Sequence, residues 1–392
     1  METRKTGPRT ALPFASALAT ALEIAADSPS SHNSQPWGVA RLVSRAARDA
    51  ARTLAGAGAD RAATEYLILA VDRDRELTAL PAHYAEMRVS CGLYWRLLRR
   101  ALAAQGWELD LEVPARRPLL VALGFPATWT PLRLARFRWT GREAEALDRL
   151  RIRARHRQTN RGPYLPDPVP GSLLDELAAG SAEPGARPPT GVAHPVHVRY
   201  LRSEFQRNRF AAFVARHGGR DFAHREAWRE THSYLRRDAA QARAAGDGFT
   251  LAQLFGPMSS AQHLLRRAAL APATMRVLSR IGYPRLLAGQ LAAGVRRTPV
   301  IVLLSVAEGQ RRRATDLVGA GEWLADFWLA ATAAGLAVHP ISIVIQHADL
   351  RQRMHTEFGV PGRIFFVARL GYPTMRFDRA PRRRPAACVR EL

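Results

Sequence analysis

The chain has 392 residues, 47% of them hydrophobic, which is ample for a sizeable core and suggests two or three domains' worth of chain. Its formal net charge is +24, yet Lys5 is the single lysine, and the arginines are scattered among acids and abundant alanines in both halves; this reads as the coding bias of a GC-rich genome, and no nucleic-acid-binding signature accompanies it. Two cysteines, Cys91 and Cys388, exclude a disulfide framework or a cysteine-rich metal site, the longest apolar runs are too short to span a bilayer, and the N-terminus lacks the apolar stretch of a secretory signal, so the expectation is a cytoplasmic protein with no metal, membrane or nucleic-acid partner.

Residues 13–26 carry Phe14, Leu18, Ala21, Leu22 and Ala25 at helical spacing. A polar stretch follows, "SPSSHNSQPW" at 28–37. Strands are predicted over 37–43 and 65–72. The segment 87–106 reads as a long apolar helix with arginines on one flank, stopped at Gly106. Strand character returns at 107–113 and 118–125. Residues 142–157 are helical and end in a basic cluster.

The second half opens with the proline-punctuated loop 162–171. A helix over 172–180, a turn-rich connection over 181–195 and a strand over 196–202 follow. Residues 203–292 read as mostly helical, interrupted near 246–249 and 255–260. A buried strand is predicted at 298–306 and a long buried helix with small residues at 315–336. Strands are predicted at 337–345 and 363–373, and the tail is "APRRRPAACVREL". The halves share an outline, with "AAQGW" (103–107) and "TAAGL" (332–336) closing the two long helices. This is a faint internal repeat of one α+β unit.

Four stretches carry chemistry. The serines and asparagine of 28–37 can line a polar ligand or simply terminate a helix before a Trp37 anchor. In "RHRQTNR" (155–161), Arg157, Thr159 and Arg161 alternate, so an extended segment points all three to one side. Two guanidiniums flanking a hydroxyl suit a phosphate, although charge runs are commonly solvated faces. Arg382 and Arg384 alternate in the same way in the tail. In "AVHPISIVIQH" (337–347), Pro340 suggests an edge or bulge with backbone N–H groups free for a ligand, or a strand entry.

Together these motifs resemble the nitroreductase family of FMN flavoproteins. "SPSSHNSQPW" is similar to that family's Pro-Ser-Ser-x-Asn-x-Gln-Pro-Trp run, and "RHRQTNR" to its Arg-x-Ser/Thr-x-Arg phosphate segment. "LAATAAGLAVHPIS" resembles the buried helix and segment along the flavin ring, and "GYP" with "RRRP" the closing strand and basic tail. In the ordinary family the phosphate segment precedes the serine-rich run, and each flavin is shared across a dimer. Here the order is reversed, which resembles the tandem, single-chain Acg-type FMN-binding proteins.

The resemblance implies an α+β fold of two tandem units, each a central antiparallel-rich sheet flanked by helices, forming an intrachain pseudo-dimer. The first unit would be 1–150 and the second 151–392, with a lid-like helical region at about 203–292. It implies one FMN per chain, because neither half repeats both motifs. Pro29, Ser30, Ser31 and Asn33 would form one wall of the site. Arg157, Thr159, Arg161, Arg382 and Arg384 would clamp the phosphate. Pro340, Ile341 and Ser342 would approach the ring, their backbone reaching N5. His32 and His339 are the candidates for proton handling, with a structural hydrogen bond as the competing role for each.

The implied activity is hydride exchange at flavin N5 with NAD(P)H and a small organic substrate. That covers nitro, quinone or enone reduction, or substrate oxidation in a natural-product pathway. The alternative is a protein that stores FMN or senses redox state with little turnover. The chain would work as a monomeric pseudo-dimer or a loose homodimer.

Overall fold

The computed structural model describes residues 12–56, 63–115, 118–180, 196–307 and 314–392. The connection predicted over 181–195 lies outside them. Eleven strands are described: β1 (Trp37–Arg41), β2 (Thr64–Asp72), β3 (Trp107–Pro114), β4 (Trp129–Trp139), β5 (Val196–Leu201), β6 (Leu235–Arg236), β7 (Phe249–Thr250), β8 (Val300–Val306), β9 (Ala337–Pro340), β10 (Arg363–Gly371) and β11 (Val389–Glu391). They form a five-stranded sheet, β11-β1-β2-β4-β3, a four-stranded sheet, β5-β8-β10-β9, and the small pair β6-β7. Within the two larger sheets every pairing is antiparallel except β1 with β11.

One face of the first sheet packs on helices Phe14–Ala25 and His83–Ala103. Trp37 stacks on Tyr94 there, ring centroids 4.6 Å apart. The other face is covered by helix Arg45–Ala55. The second sheet packs one face on helix Ala314–Ala333 and the other on helices Glu204–His217 and Tyr283–Arg296. Both sheets are therefore covered on both faces, which is why 66–71 of β2 and 300–304 of β8 are continuous apolar runs rather than alternating.

The long helices His83–Ala103 and Ala314–Ala333 pack on each other, and glycines set their separation. A Cβ placed on Gly92 would lie 2.1 Å from the Val318 carbonyl oxygen, and one on Gly321 would lie 2.2 Å from that of Val89. Each glycine meets the residue three positions before the other, so the contact is reciprocal. The arginine flank predicted on the first helix is not solvated. Arg99 pairs with Glu322 at 2.9 Å, while Arg96 and Arg100 both reach Asp326.

Three expectations need correction. Residues 118–125 are not a strand: Pro118–Val121 is a short helix, and the strand comes later, at β4. The strand expected over 337–345 ends at Pro340, where a single turn, Ser342–Val344, takes over. The helical region 203–292 is not one separate cap, because its first and last helices belong to the second sheet's core. Only its middle reaches across to the first half.

Candidate functional site

Helix Phe14–Ala25 ends in a turn, with the Asp27 and Ser28 amides donating to Ile24 and Ala25 carbonyls. The chain then makes the tight turn Ser31–Asn33. His32, Asn33 and Gln35 all take positive φ, at 50°, 53° and 53°. Three left-handed side-chain-bearing residues in four positions store backbone strain, which must be held by surrounding bonds. Ser30 Oγ accepts from the Gln35 amide at 2.9 Å. Gln35 Nε2 donates to the Gly246 carbonyl at 2.8 Å, and its Oε1 accepts from the Arg383 amide at 2.9 Å. Asn33 Nδ2 donates to the carbonyls of Gly248 and Pro381, both at 2.9 Å.

Asn33 Oδ1 accepts from Arg382 Nη1 at 2.8 Å. Its amide is thus spent on the protein, and it acts on the site by positioning Arg382. Arg382 Nη2 also approaches the Asp27 carbonyl at 3.5 Å, and Arg157 Nη2 donates to the same oxygen at 3.0 Å. Asp27's carboxylate pairs with Arg379. Two guanidiniums from distant segments therefore converge just before the serine-rich run. Arg157 is only 6% exposed and lies over the Trp328 ring.

The donors left over are the informative part. Arg157 Nε and Nη1, Arg382 Nε and the hydroxyl of Ser28 are buried with no hydrogen-bond partner among the described residues. Burial lowers the pKa of Arg157 to about 9, helped by the neighbouring Arg382, and that of Arg382 to about 10. Both remain cationic near neutrality. The Asp27 carboxylate, itself paired with Arg379, offsets these two buried charges only in part, so the arrangement suits an anion with several acceptor oxygens.

Arg161 lies further along the same extended segment, its pKa pushed by burial to about 10. Its Nη1 reaches the Gln253 carbonyl at 3.4 Å, and its guanidinium is 5.9 Å from the Phe249 ring. Thr159 bridges to Val338, and the Asn160 amide donates to the Val338 carbonyl, so this segment lies beside β9. Pro29 and Ser30 are half-buried on the opposing loop.

Arg384 does not join the clamp. It is exposed, because the chain turns at Pro385–Cys388 to place β11 against β1. Arg383 points inward instead, onto the Gln35 carbonyl. The alternation argument fails here because the segment is not a straight strand. The Ile341 amide is likewise unavailable to a ligand: it donates to the Val367 carbonyl at 2.7 Å. Pro340 pairs with Ala368 at the end of β9, and Ser342 opens the turn beyond it.

The two candidate histidines are both uncharged near neutrality. Burial lowers the pKa of His32 to about 4, with His83 adding to the effect. Its Nε2 is 3.4 Å from Thr231 Oγ1. His339 is driven well below the usual histidine value by burial, then by Arg161 and Arg369, and its Nδ1 sits 3.2 Å from Arg369 Nη1.

A second polar cluster lies beside His32. His83 Nδ1 pairs with Glu230 Oε2 at 3.0 Å, and Glu230 also accepts from the Thr78 amide at 2.7 Å. Burial opposes charge on His83, but the bond to Glu230, with Glu86 and Asp221 nearby, outweighs it and raises the pKa. Glu86 accepts from Ser31 Oγ and from Gln346 Nε2, each at 2.6 Å. Burial raises the pKa of Asp221 to about 7, reinforced by Glu86 and opposed by His83. Glu86 thus ties the serine-rich loop of the first half to the segment just after Ser342 in the second.

Sequence reasoning missed Asp27 and Arg379 and all of this second cluster, and did not single out Ser28 among the serines of 28–37. Asp27 adjoins that motif and could have been included on that ground. No local pattern marks His83, Glu86, Asp221 or Glu230, because only helix packing brings them together.

Three comparisons bear on these residues. Residues 154–372 match the family described as the nitroreductase family. Over 375 residues the chain is 30% identical to the "Probable NAD(P)H nitroreductase PigM" of Serratia sp. (strain ATCC 39006), covering 94% of this chain and 92% of that one. Among solved structures, a putative nitroreductase from Anabaena variabilis aligns with 94% of this chain and 90% of its own at 10% identity and a TM-score of 0.50. The FMN-dependent nitroreductase NfnB of Mycobacterium smegmatis, in complex with NADPH, aligns with 59% of this chain and 94% of its own, at 19% identity and a TM-score of 0.34.

Proposed function

This chain belongs to the nitroreductase family and is an FMN-dependent oxidoreductase using NAD(P)H, and from that premise we propose a single-chain pseudo-dimer that assembles one flavin site between its halves. The observation that carries the proposal is the set of unpartnered buried N–H groups on Arg157 and Arg382, meeting at Asp27. These residues fit a phosphate monoester: two fixed cations, free donors and a buried hydroxyl at Ser28. Arg161 and Thr159 would continue the contact along the cofactor, facing Pro29, Ser30 and Ser31. The reversed motif order then has a physical meaning. The wall and the clamp come from different units, as they would from different subunits of a dimer.

The reciprocal glycine contact between the two long helices supports the pseudo-dimer, since a two-fold interface makes each contact twice. So does β11, by which the second unit completes the first unit's sheet. One wall and one clamp give one FMN per chain. The units divide near residue 150, with the middle of 203–292 closing over the serine-rich loop through Asn33 and Gln35.

Bound FMN supplies hydride transfer at N5 to or from a small organic substrate. This chain's own part is to hold the anion, orient the ring and exclude water. The strained Ser31–Asn33 turn and the Glu86 bridge fix the first-half wall against the segment after β9. The neutral imidazole of His32 offers a hydrogen bond rather than a charge, so His83 and Asp221 are the protonatable groups of that cluster near neutrality. The substrate would be a nitro, quinone or enone acceptor, or a donor oxidised in a biosynthetic pathway. Anaerobic titration tests the reading: the purified protein should bind one FMN and bleach on adding NAD(P)H. Two FMN per chain would reject the single site.

A further inference from the structure

Between Asp247 and Glu308 the sequence contains no acidic residue. The same stretch contains Arg266, Arg267, Arg276, Arg280 and Arg285, none of which has an ion-pair partner among the described residues. It also contains half of the exposed large aliphatic side chains among the described residues. Leu264 is 69% exposed, Leu265 70%, Val277 57%, Ile281 78% and Leu286 55%.

These residues sit on contiguous elements. Helix Ser260–Leu270 contacts helix Pro272–Leu278, which contacts the turn Ser279–Ile281 and helix Tyr283–Arg296. Helix Ser260–Leu270 is barely attached: only Leu270 is buried, so its leucines are not core residues. Arg266 lies over the Phe255 ring at 4.3 Å, which keeps an aromatic side chain within the same basic surface.

We infer that this acid-free helical surface, residues 255–286, adsorbs onto an anionic lipid bilayer, with arginines at the headgroups and Leu264, Leu265 and Ile281 inserted below them. The combination selects the partner. A nucleic acid rewards the arginines but gives exposed leucines nothing to contact. A second copy of this chain would set arginine against arginine, on a molecule of net charge +24. An anionic bilayer satisfies both groups, since arginines gain from the surface potential and aliphatic side chains leave water. No helix among the described residues is long and apolar enough to cross a membrane. Adsorption needs none, and it revises the expectation of no membrane partner. The inference is independent of the flavin reading.

The test is co-sedimentation of the full FMN-loaded protein with vesicles of phosphatidylglycerol or of phosphatidylcholine. Binding to phosphatidylglycerol alone, released by raised ionic strength, is expected. The triple variant L264S/L265S/I281S should bind at least about tenfold more weakly, and R266Q/R267Q/R276Q similarly. Flavin content and NAD(P)H oxidation with a soluble acceptor should be unchanged in both. Absence of binding to phosphatidylglycerol vesicles would overturn the inference. So would vesicle binding indifferent to the serine changes, or a solution dimer that L264S/L265S/I281S converts to monomer.

Discussion

Arg382 donates to Asn33 at 2.8 Å although 349 positions separate them. That bond carries the tail of the chain to its first loop and holds a tail arginine half-buried there. It also separates Arg382, which meets Arg157 at the Asp27 carbonyl, from the exposed Arg384.

Removing either clamp arginine should therefore weaken flavin binding. Arg157→Ala and Arg382→Ala are each expected to cost about 10- to 100-fold in FMN affinity, the range for a charge-assisted bond. Arg384→Ala should change it by less than about twofold, because that side chain is exposed. Flavin fluorescence titration measures all three. Equal losses at Arg382 and Arg384 would refute the assignment.

Asn33→Ala should affect affinity and stability together. It frees Arg382 from one anchor and leaves the Gly248 carbonyl without its side-chain donor, while that of Pro381 keeps only Arg382 Nη1. A loss of about 1–3 kcal/mol in unfolding free energy is expected, as for other unsatisfied buried groups. Urea denaturation checks this with and without FMN. A variant as stable as the parent would show that the strained turn does not depend on this anchor.

The glycine contact makes a prediction about packing alone. Gly92→Ala and Gly321→Ala should each destabilise by about 1–3 kcal/mol, since either methyl meets a backbone carbonyl across the helix pair. The double variant should lose less than the sum, because one separation of the helices relieves both clashes. Gly289→Ala is the control. It lies within helix Tyr283–Arg296 with open space at its Cβ, and should be neutral or gain up to about 1 kcal/mol. Thermal unfolding of the four proteins settles it.

Asp221 predicts the pH dependence of stability. Its folded pKa is raised to about 7, against the ordinary value near 4. The folded state then holds a proton that the unfolded chain has released. This contribution is full below about pH 4 and is lost as pH climbs to about 7. His83 acts in the same direction at higher pH, its raised pKa making the Glu230 pair weaken as the imidazole deprotonates. Asp221→Asn should flatten the profile, narrowing the stability difference between pH 5 and pH 8 by about 1–2 kcal/mol. Denaturant midpoints across that range measure it, and an unchanged slope would rule the residue out.

Much of the candidate site could be proposed from the sequence because its signals are local. "SPSSHNSQPW" and "RHRQTNR" are each readable within about ten residues, although the strained turn of the first is held by Gly246, Gly248, Pro381 and Arg383 from distant segments. Arg384 and Ile341 depart from the sequence expectation for the opposite reason. Whether a residue in an extended segment faces a ligand depends on where the chain bends, and Pro385–Cys388 and Ser342–Val344 bend it.

The sequence by itself determined the long apolar helices, the buried strand β8, the serine-rich turn and the family resemblance they carry. It did so because burial periodicity and turn chemistry are written within a few residues of each other. Tertiary structure alone decided which arginines lose their solvent, and that His83, Glu86, Asp221 and Glu230 share one cluster. Those outcomes depend on two long helices meeting at Gly92 and Gly321 and on a tail returning to β1. Desolvation and unsatisfied donors arise only when distant segments exclude water together.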